Sequence, residues 1–359
     1  MKVIIVGAGI IGVLTAFRLA ERGAEVTVID AGQPTGAASG ASFGWINASF
    51  YADQDHFNLR LAAIAAHHRL AAELKSDAIR WPGCLCWEAQ GDALDEQHKA
   101  LKALGYAVSE VSAQAFSELE PSVVAPPRAL HFLDEGAVDL AQLAAEALRA
   151  GAAMGVRVVA GLPVTRLLEA AGKATGVQTA AGRLTADQVI VAAGVATERL
   201  MAEMGVPVPM LSRPGLIVRS EPLPPLLRHV LVSSGQELRQ TPQGHLLAPT
   251  SAGHQGDDSD TAPEPPDALA NRTMARVQAM IGRPVAWDQV TLAFRPVPQD
   301  GLPVIGACGP AGLYVTVMHS GATLAPLVAE LAAAEVMESA LSNTQLALLS
   351  PYRPARFTG

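Results

Sequence analysis

Gly7, Gly9 and Gly12 follow the spacing G-x-G-x-x-G, and a carboxylate, Asp30, stands eighteen residues after the last of them. Glycines so spaced permit a tight turn, a close approach of backbone to a pyrophosphate and close packing of a helix on a strand, while the acid accepts from ribose hydroxyls. A carboxylate at position 30 repels a 2′-phosphate, which favours FAD or NAD over NADP. A second pattern competes for a chemical reading. Gly40, Ser42 and Gly44 in GASFG match the G-x-S-x-G of a hydrolase nucleophile elbow, which has meaning only with a strand before it and a helix directly after it.

The elements around the two patterns separate them. Val3 to Val6 is an apolar run, helical periodicity follows through Leu14, Phe17 and Leu19, and Gly23 closes it before a second apolar run from Val26 to Ile29. The early glycines therefore sit in a strand–turn–helix–strand unit, with phosphates expected at the positive helix N-terminus. Ser42 comes about a dozen residues after the second strand, inside the small-residue stretch TGAASGASFGWINASF. That stretch reads as a loop passing close to a cofactor, with Ser39 and Ser42 offering hydroxyl or backbone N–H bonds. A serine hydrolase using Ser42, with Asp300 or His319 as partners, is the distant alternative.

Beyond these motifs the chain carries the loop SGASFGW, a helix expected from about Asp53 to Lys75, VDLAQLAAEALRAGAAMGVRVV with Asp139 as helix N-cap, the strand QVIVAAGVAT, then FRPVPQDGLPVIG and MHSGATLAP. In this order, over nearly the whole chain, they resemble the FAD-dependent oxidoreductases of the D-amino-acid oxidase superfamily, which includes glycine oxidase, sarcosine oxidase and D-amino-acid dehydrogenases. The resemblance implies non-covalent FAD, although the sarcosine-oxidase type attaches it to a cysteine and Cys308 lies roughly in that region. It implies cofactor contacts at Gly7, Gly9, Ile10, Ile11 and Gly12, at Asp30 and Ala31, at Ser39, Gly40, Ser42, Phe43 and Gly44, at Val164, at Ala193 and Gly194, and at His319, Ser320, Gly321, Ala322 and Thr323. The last group opens a helix whose N–H groups would stabilise negative charge at the flavin pyrimidine edge. Met318 stands where the family often has glycine.

The same resemblance assigns Arg295 to the substrate carboxylate, a task that suits a planar bidentate guanidinium. Hydride would pass from the substrate carbon to flavin N5, giving an imine that hydrolyses. No dedicated base is needed if the amine binds neutral, so His319 is a tentative catalytic residue and His245 and His254 read as loop histidines. The expected partner is a small amino or imino acid. A homo-oligomer or an electron-accepting partner subunit stays open, as does an FAD-carrying subunit of a larger amine dehydrogenase. Whether Trp45 and Asn47 pack the flavin or only the core also stays open.

With 359 residues, half of them apolar, the chain can bury a large core. Its net charge of −8 and low charged content lack the basic face of a nucleic-acid binder. Three cysteines are too few for a disulfide framework and point to a reducing compartment; Cys84 and Cys86 read as an apolar pair on one strand face, and no metal site is expected. No stretch is long and apolar enough to span a membrane, and the apolar start is needed in the fold rather than in a signal peptide, so the cytoplasm is expected. TLAPLVAELAAAEVMESAL reads as a half-buried helix. HQGDDSDTAPEPPDAL reads as a mobile acidic loop before a helix. The expected fold is α/β: a discontinuous Rossmann-like FAD domain (1–80, 131–207 and 292–359) with a second, antiparallel-sheet α+β substrate domain (81–130 and 208–291).

Overall fold

The N-terminal unit folds as β1 (Lys2–Val6), α1 (Ile10–Glu21) and β2 (Glu25–Ile29) in the computed structural model, which describes residues 1–252, 259–261 and 264–358. β1 lies inside a six-stranded sheet ordered Val304–Ala307, Leu313–Val317, Gln188–Val191, β1, β2, Arg157–Val159. Neighbours are parallel except the outer hairpin formed by the first two strands. The sheet is covered on both sides, so its strands are almost continuously apolar. Side chains still alternate: Val3 and Ile5 enter the core with α1, while Ile4 and Val6 enter a second core with Val164, Leu167 and Val177.

The turn after β1 is held by two contacts that only glycine permits. Gly7, at φ +111°, donates to the Ile29 carbonyl at 2.8 Å, and a Cβ on it would overlap the Ala192 carbonyl oxygen. A Cβ on Gly12 would overlap the carbonyl oxygen of Gly7, so α1 leaves the sheet at backbone contact distance. Next come β3 (Trp45–Ile46) and α2 (Gln54–Leu74), whose cap Asp53 accepts from the His56 N–H at 2.8 Å and whose end, Lys75, is left-handed. These ends coincide with the helix expected from the sequence.

The helix Gly321–Val336 departs from expectation by being buried along most of its length. It lies against both α1 and α2, and its acids leave the core through ion pairs: Glu330 with Arg69 at 2.6 Å and Arg18 at 3.4 Å, Glu335 with Arg353 at 2.6 Å. Pro326 sits inside it and has no N–H to give the Ala322 carbonyl. His67 of α2 fills that role, its Nε2 lying 2.9 Å from the Ala322 oxygen and 3.0 Å from that of Thr323. Burial lowers the His67 pKa to about 4, so the ring is neutral and donates through Nε2. The adjacent His68 turns away and stacks on Trp81.

The second lobe is built on an eight-stranded sheet, ordered Trp287–Phe294, Pro214–Ser220, Leu246–Pro249, Glu237–Gln240, Val230–Ser233, Cys84–Trp87, Arg128–Phe132, Val108–Ser112. One pair departs from the expected antiparallel pattern: Val230–Ser233 runs parallel to Cys84–Trp87. No hairpin joins these segments, so the long connection between them leaves strand direction free. Two strands, Arg128–Phe132 and Trp287–Phe294, cross the domain boundaries expected at 130/131 and 291/292. Helix Pro266–Ile281 packs its apolar side on the core that holds Leu238, Leu246 and Val218, while Glu237 and Arg239, alternating with Leu238, point to the opposite face. Cys84 and Cys86 are buried in one core cluster, on the opposite side of their strand from Leu85. Residues 254–258 and 262–263 of the predicted acidic loop, His254 among them, lie outside the described residues. Among the described residues no helix is long and apolar enough to cross a membrane.

The Gly12 contact sets two effects against each other. Alanine improves helix propensity by about 1 kcal/mol, but a Cβ forced into the Gly7 carbonyl costs about 3 kcal/mol. Gly12→Ala is therefore expected to lower the denaturant midpoint of the protein; an unchanged or raised midpoint would show that the turn relaxes freely.

Candidate active site

Two adjoining cavities, of about 420 and 240 Å³, share Ile10, Ile11, Ser39 and Met318 and together form one trough. The first runs past Gly7, Gly9, Asp30, Ala31, Val164, Ala193 and Gly194. The second is lined by Ser42, Phe43, Gly44, Arg295 and the run His319 to Thr323. Most residues singled out in the sequence are thus brought together along one path. Gly12 and Gly40 are not on it. Gly12 is consumed by its contact with Gly7, and Gly40 lines a separate third cavity.

At the first end, α1 begins at Gly9 without a side-chain cap. Ser39 Oγ accepts from the Ile10 N–H at 3.0 Å, while Ile11 and Gly12 have no intrahelical acceptor for theirs. Ser39 therefore acts first on the protein's own helix end. Asp30 does the same for the turn: its carboxylate accepts from Ala8 N–H at 2.6 Å and Gly32 N–H at 2.7 Å, and it lines the trough beside them. The side-chain-free floor at Gly7 and Gly9, the open helix end and the acid beyond it fit an adenine dinucleotide, pyrophosphate at the helix and ribose at Asp30.

At the other end, the helix Gly321–Val336 starts from Ser320, a non-glycine residue at φ +51°. Such a conformation is costly and persists only when its surroundings fix it. Arg60 supplies the fixing contact. Its guanidinium donates to Ser320 Oγ at 2.9 Å, to the Asn47 carbonyl at 3.0 Å and to Asn47 Oδ1 at 2.6 Å. Arg60 is 2% exposed, lines the trough and has no ion-pair partner among the described residues. Burial lowers its pKa to about 10, partly offset by the more distant charge of Glu135, so it is a cation at neutral pH. A helix N-terminus and a buried cation therefore converge on one end of the trough.

Behind Arg60 the chain is braced by a buried carboxyl group. Glu135, fully buried, accepts from Trp45 Nε1 at 2.9 Å, Tyr106 OH at 3.0 Å and the Ser49 N–H at 3.3 Å. Asn47 N–H donates to Thr323 Oγ1 at 3.2 Å. Trp45 and Asn47 line the trough and tie its wall to the core.

Arg295, just past the strand Trp287–Phe294, lies with its side chain against Gly215 on the trough wall contributed by the second lobe. Glu237, 6% exposed, shares that wall. His319 lines the trough with Nδ1 3.4 Å from Ser320 Oγ. His245 does not reach it; its Nδ1 lies 2.8 Å from the Ser220 carbonyl oxygen in the second lobe. Ser42 Oγ accepts from Gly44 N–H at 3.0 Å, and the strand β3 rather than a helix follows it, so the elbow geometry is absent. Cys308 packs on the apolar core behind the six-stranded sheet, lines neither part of the trough, and burial raises its thiol pKa to about 12.

Arg60 and Glu237 were not singled out in the sequence. The signal for Arg60 was present: it falls on the same helical face as Phe57, Ile64 and His67, an otherwise inward face. Glu237 alternates with Leu238, a pattern that reads as a solvated strand face until the other lobe covers it.

The chain matches the family described as FAD dependent oxidoreductase over residues 2–335. It is 28% identical to YurR, an uncharacterized oxidoreductase of Bacillus subtilis, covering 98% of each chain. It is 25% identical to the glycine oxidase of Pseudomonas putida over 92% of this chain and 93% of that one. The crystal structure of glycine oxidase from Geobacillus kaustophilus has the same fold, with a TM-score of 0.87, 23% identity and 99% of each chain covered.

Glu135 gives a pH signature. Burial, only partly offset by its hydrogen bonds, raises its pKa from the usual 4.5 to about 7. The folded state then holds a proton the unfolded state has lost between those values, so this group's contribution falls as pH rises through the window, by about 3 kcal/mol in all. Glu135→Gln should gain that much stability relative to the parent between pH 4.5 and 7.5, measured by denaturant titration at both. A constant difference would show that Glu135 ionises normally.

Proposed function

The chain belongs to the family of FAD-dependent oxidoreductases, and from that premise we propose that it oxidises the C–N bond of an amino or imino acid, N-methyl amino acids included, to an imine that water hydrolyses. Bound FAD supplies the two-electron acceptor. The observation that carries this reading is that Arg295 lines the same part of the trough as the run His319–Thr323. A fixed bidentate fork there grips a carboxylate and orients the carbon next to it.

The remaining residues fall into supporting roles. Gly7, Gly9, Ile10, Ile11, Asp30, Ala31, Val164, Ala193 and Gly194 hold the adenylate and pyrophosphate half of the cofactor, and Ser42, Phe43, Gly44 and His319 to Thr323 hold the flavin half. Binding is non-covalent, in keeping with Cys308 lying off the trough. Arg60 and the helix end beside Ser320 stabilise negative charge that builds at their end of the trough. Glu237 pairs with the substrate ammonium and takes its proton, leaving the neutral amine that oxidation requires. The segments of the eight-stranded sheet, close to the expected 81–130 and 208–291 but running on through Phe132 and Phe294 with Arg295 just beyond, form the substrate-facing lobe; the rest of the chain forms the cofactor lobe. That relatives include glycine oxidases is consistent with a small amino-acid substrate.

Arg295→Met is expected to raise KM for a carboxylate substrate by about a hundredfold or more, since a charge-assisted bidentate pair contributes ~3 kcal/mol, with FAD content unchanged. The substrate is found by anaerobic flavin bleaching across D-, L- and N-methyl amino acids and proline analogues. Bleaching by none of them, or a KM indifferent to Arg295, would overturn the assignment.

A further inference from the structure

A third cavity, of about 440 Å³, opens on the far side of the Ser39–Ser42 loop. Its walls are that loop, the strand Ile79–Arg80, the N-terminal turn of the helix Leu140–Ala153 and the turn after the strand Glu237–Gln240. It shares only Ser39, Ser42 and Leu140 with the part of the trough that holds Arg295.

Three arginines line it, Arg80, Arg228 and Arg239, and none of them forms an ion pair among the described residues. Arg80 Nε reaches only the Asp77 carbonyl, at 3.5 Å, and Arg228 reaches the carbonyls of Glu118 and Leu119, at 3.3 and 3.5 Å. Arg239 is 6% exposed. Its Nε donates to the Phe43 carbonyl and its guanidinium lies 5.6 Å from the centre of the Phe43 ring, but its terminal nitrogens have no hydrogen-bond partner among the described residues. Two carboxylates also line the cavity: Asp77 accepts from the Gln142 side chain, and Asp139 caps its helix by accepting from Gln142 N–H at 3.0 Å while its charge also acts on Arg239. Burial lowers the Arg239 pKa to about 10, so it stays a cation at neutral pH.

The outer fork of Arg239 has no acceptor from the protein among the described residues, and with the exposed Arg80 and Arg228 the guanidiniums of the cavity outnumber its two carboxylates. Oxyanions are the groups whose geometry matches several such forks at once. We infer that this cavity is a binding site, separate from the trough, for a small anion carrying two or more negatively charged oxygens, as a dicarboxylate or a phosphate does. The inference does not depend on which amine the trough oxidises.

The FAD-loaded protein is titrated calorimetrically with succinate, citrate and inorganic phosphate, against sodium chloride at matched ionic strength. At least one of the three should bind once per chain, and the preferred one tells carboxylate from phosphate. Arg80→Gln and Arg228→Gln, each at an exposed position that tolerates change, should weaken it by about tenfold. Arg295→Met should leave it intact. Arg239→Gln should abolish it, with circular dichroism reporting whether the fold survives. Binding of none of the three above the chloride control, binding undiminished in both Arg80→Gln and Arg228→Gln, or binding lost in Arg295→Met would each overturn the inference; in the first case Arg239 is only a clamp on the Phe43 carbonyl.

Discussion

Gly12 lies against the Gly7 carbonyl so closely that no side chain fits between them, and the rest of the molecule is arranged around that contact. It brings the N-terminus of α1 down to the edge of the sheet and leaves its first N–H groups facing the trough. The surrounding groups keep that end usable. Asp30 fixes the turn through Ala8 and Gly32, and Ser39 takes the Ile10 N–H from a loop that arrives from the other side. A side chain at either glycine would push the helix away from the sheet edge and change the floor beside it.

The opposite end of the trough obeys a different constraint. There the helix Gly321–Val336 must begin at a left-handed serine and carry a proline inside it, two features that disfavour it locally. Each is answered by α2: Arg60 holds Ser320, and His67 satisfies the carbonyl that Pro326 leaves open. One long helix thereby sets the position of a second helix terminus. Arg60 has to be charged to do this, and its charge is buried with neutral partners, so the same side chain that enforces geometry also makes that end of the trough positive.

The sequence made the cofactor half of this legible because its chemistry is written in backbone. Gly7, Gly9 and Asp30, the caps Asp53 and Asp139, and the run His319 to Thr323 act through glycine freedom, helix ends and short-range capping, all of which have fixed spacings. What stayed hidden depends on contacts between segments far apart in the chain. Arg60 meets Ser320 across 260 residues, the parallel pairing of Val230–Ser233 with Cys84–Trp87 joins segments with no hairpin between them, and Glu237 looks solvated until a lobe folds over it. The last helix was misread as half-buried for the same reason: its glutamates look solvated until Arg18, Arg69 and Arg353 are seen beside them.

The distribution of charge follows from this division of labour. A chain with net charge −8 repels small anions at long range, so any attraction for them has to be generated locally and shielded from solvent. It is generated by two helix ends, by Arg60 beside one of them and by Arg295 on the facing lobe, all opening on the trough. A low-dielectric cleft makes each of these count for more than it would on the surface. The cost is carried by hydrogen bonds from neutral groups, Asn47 and Ser320 above all, which hold Arg60 without neutralising it. An acid in their place would satisfy the guanidinium better and cancel the field, which is why amide and hydroxyl oxygens rather than a carboxylate stand at that position.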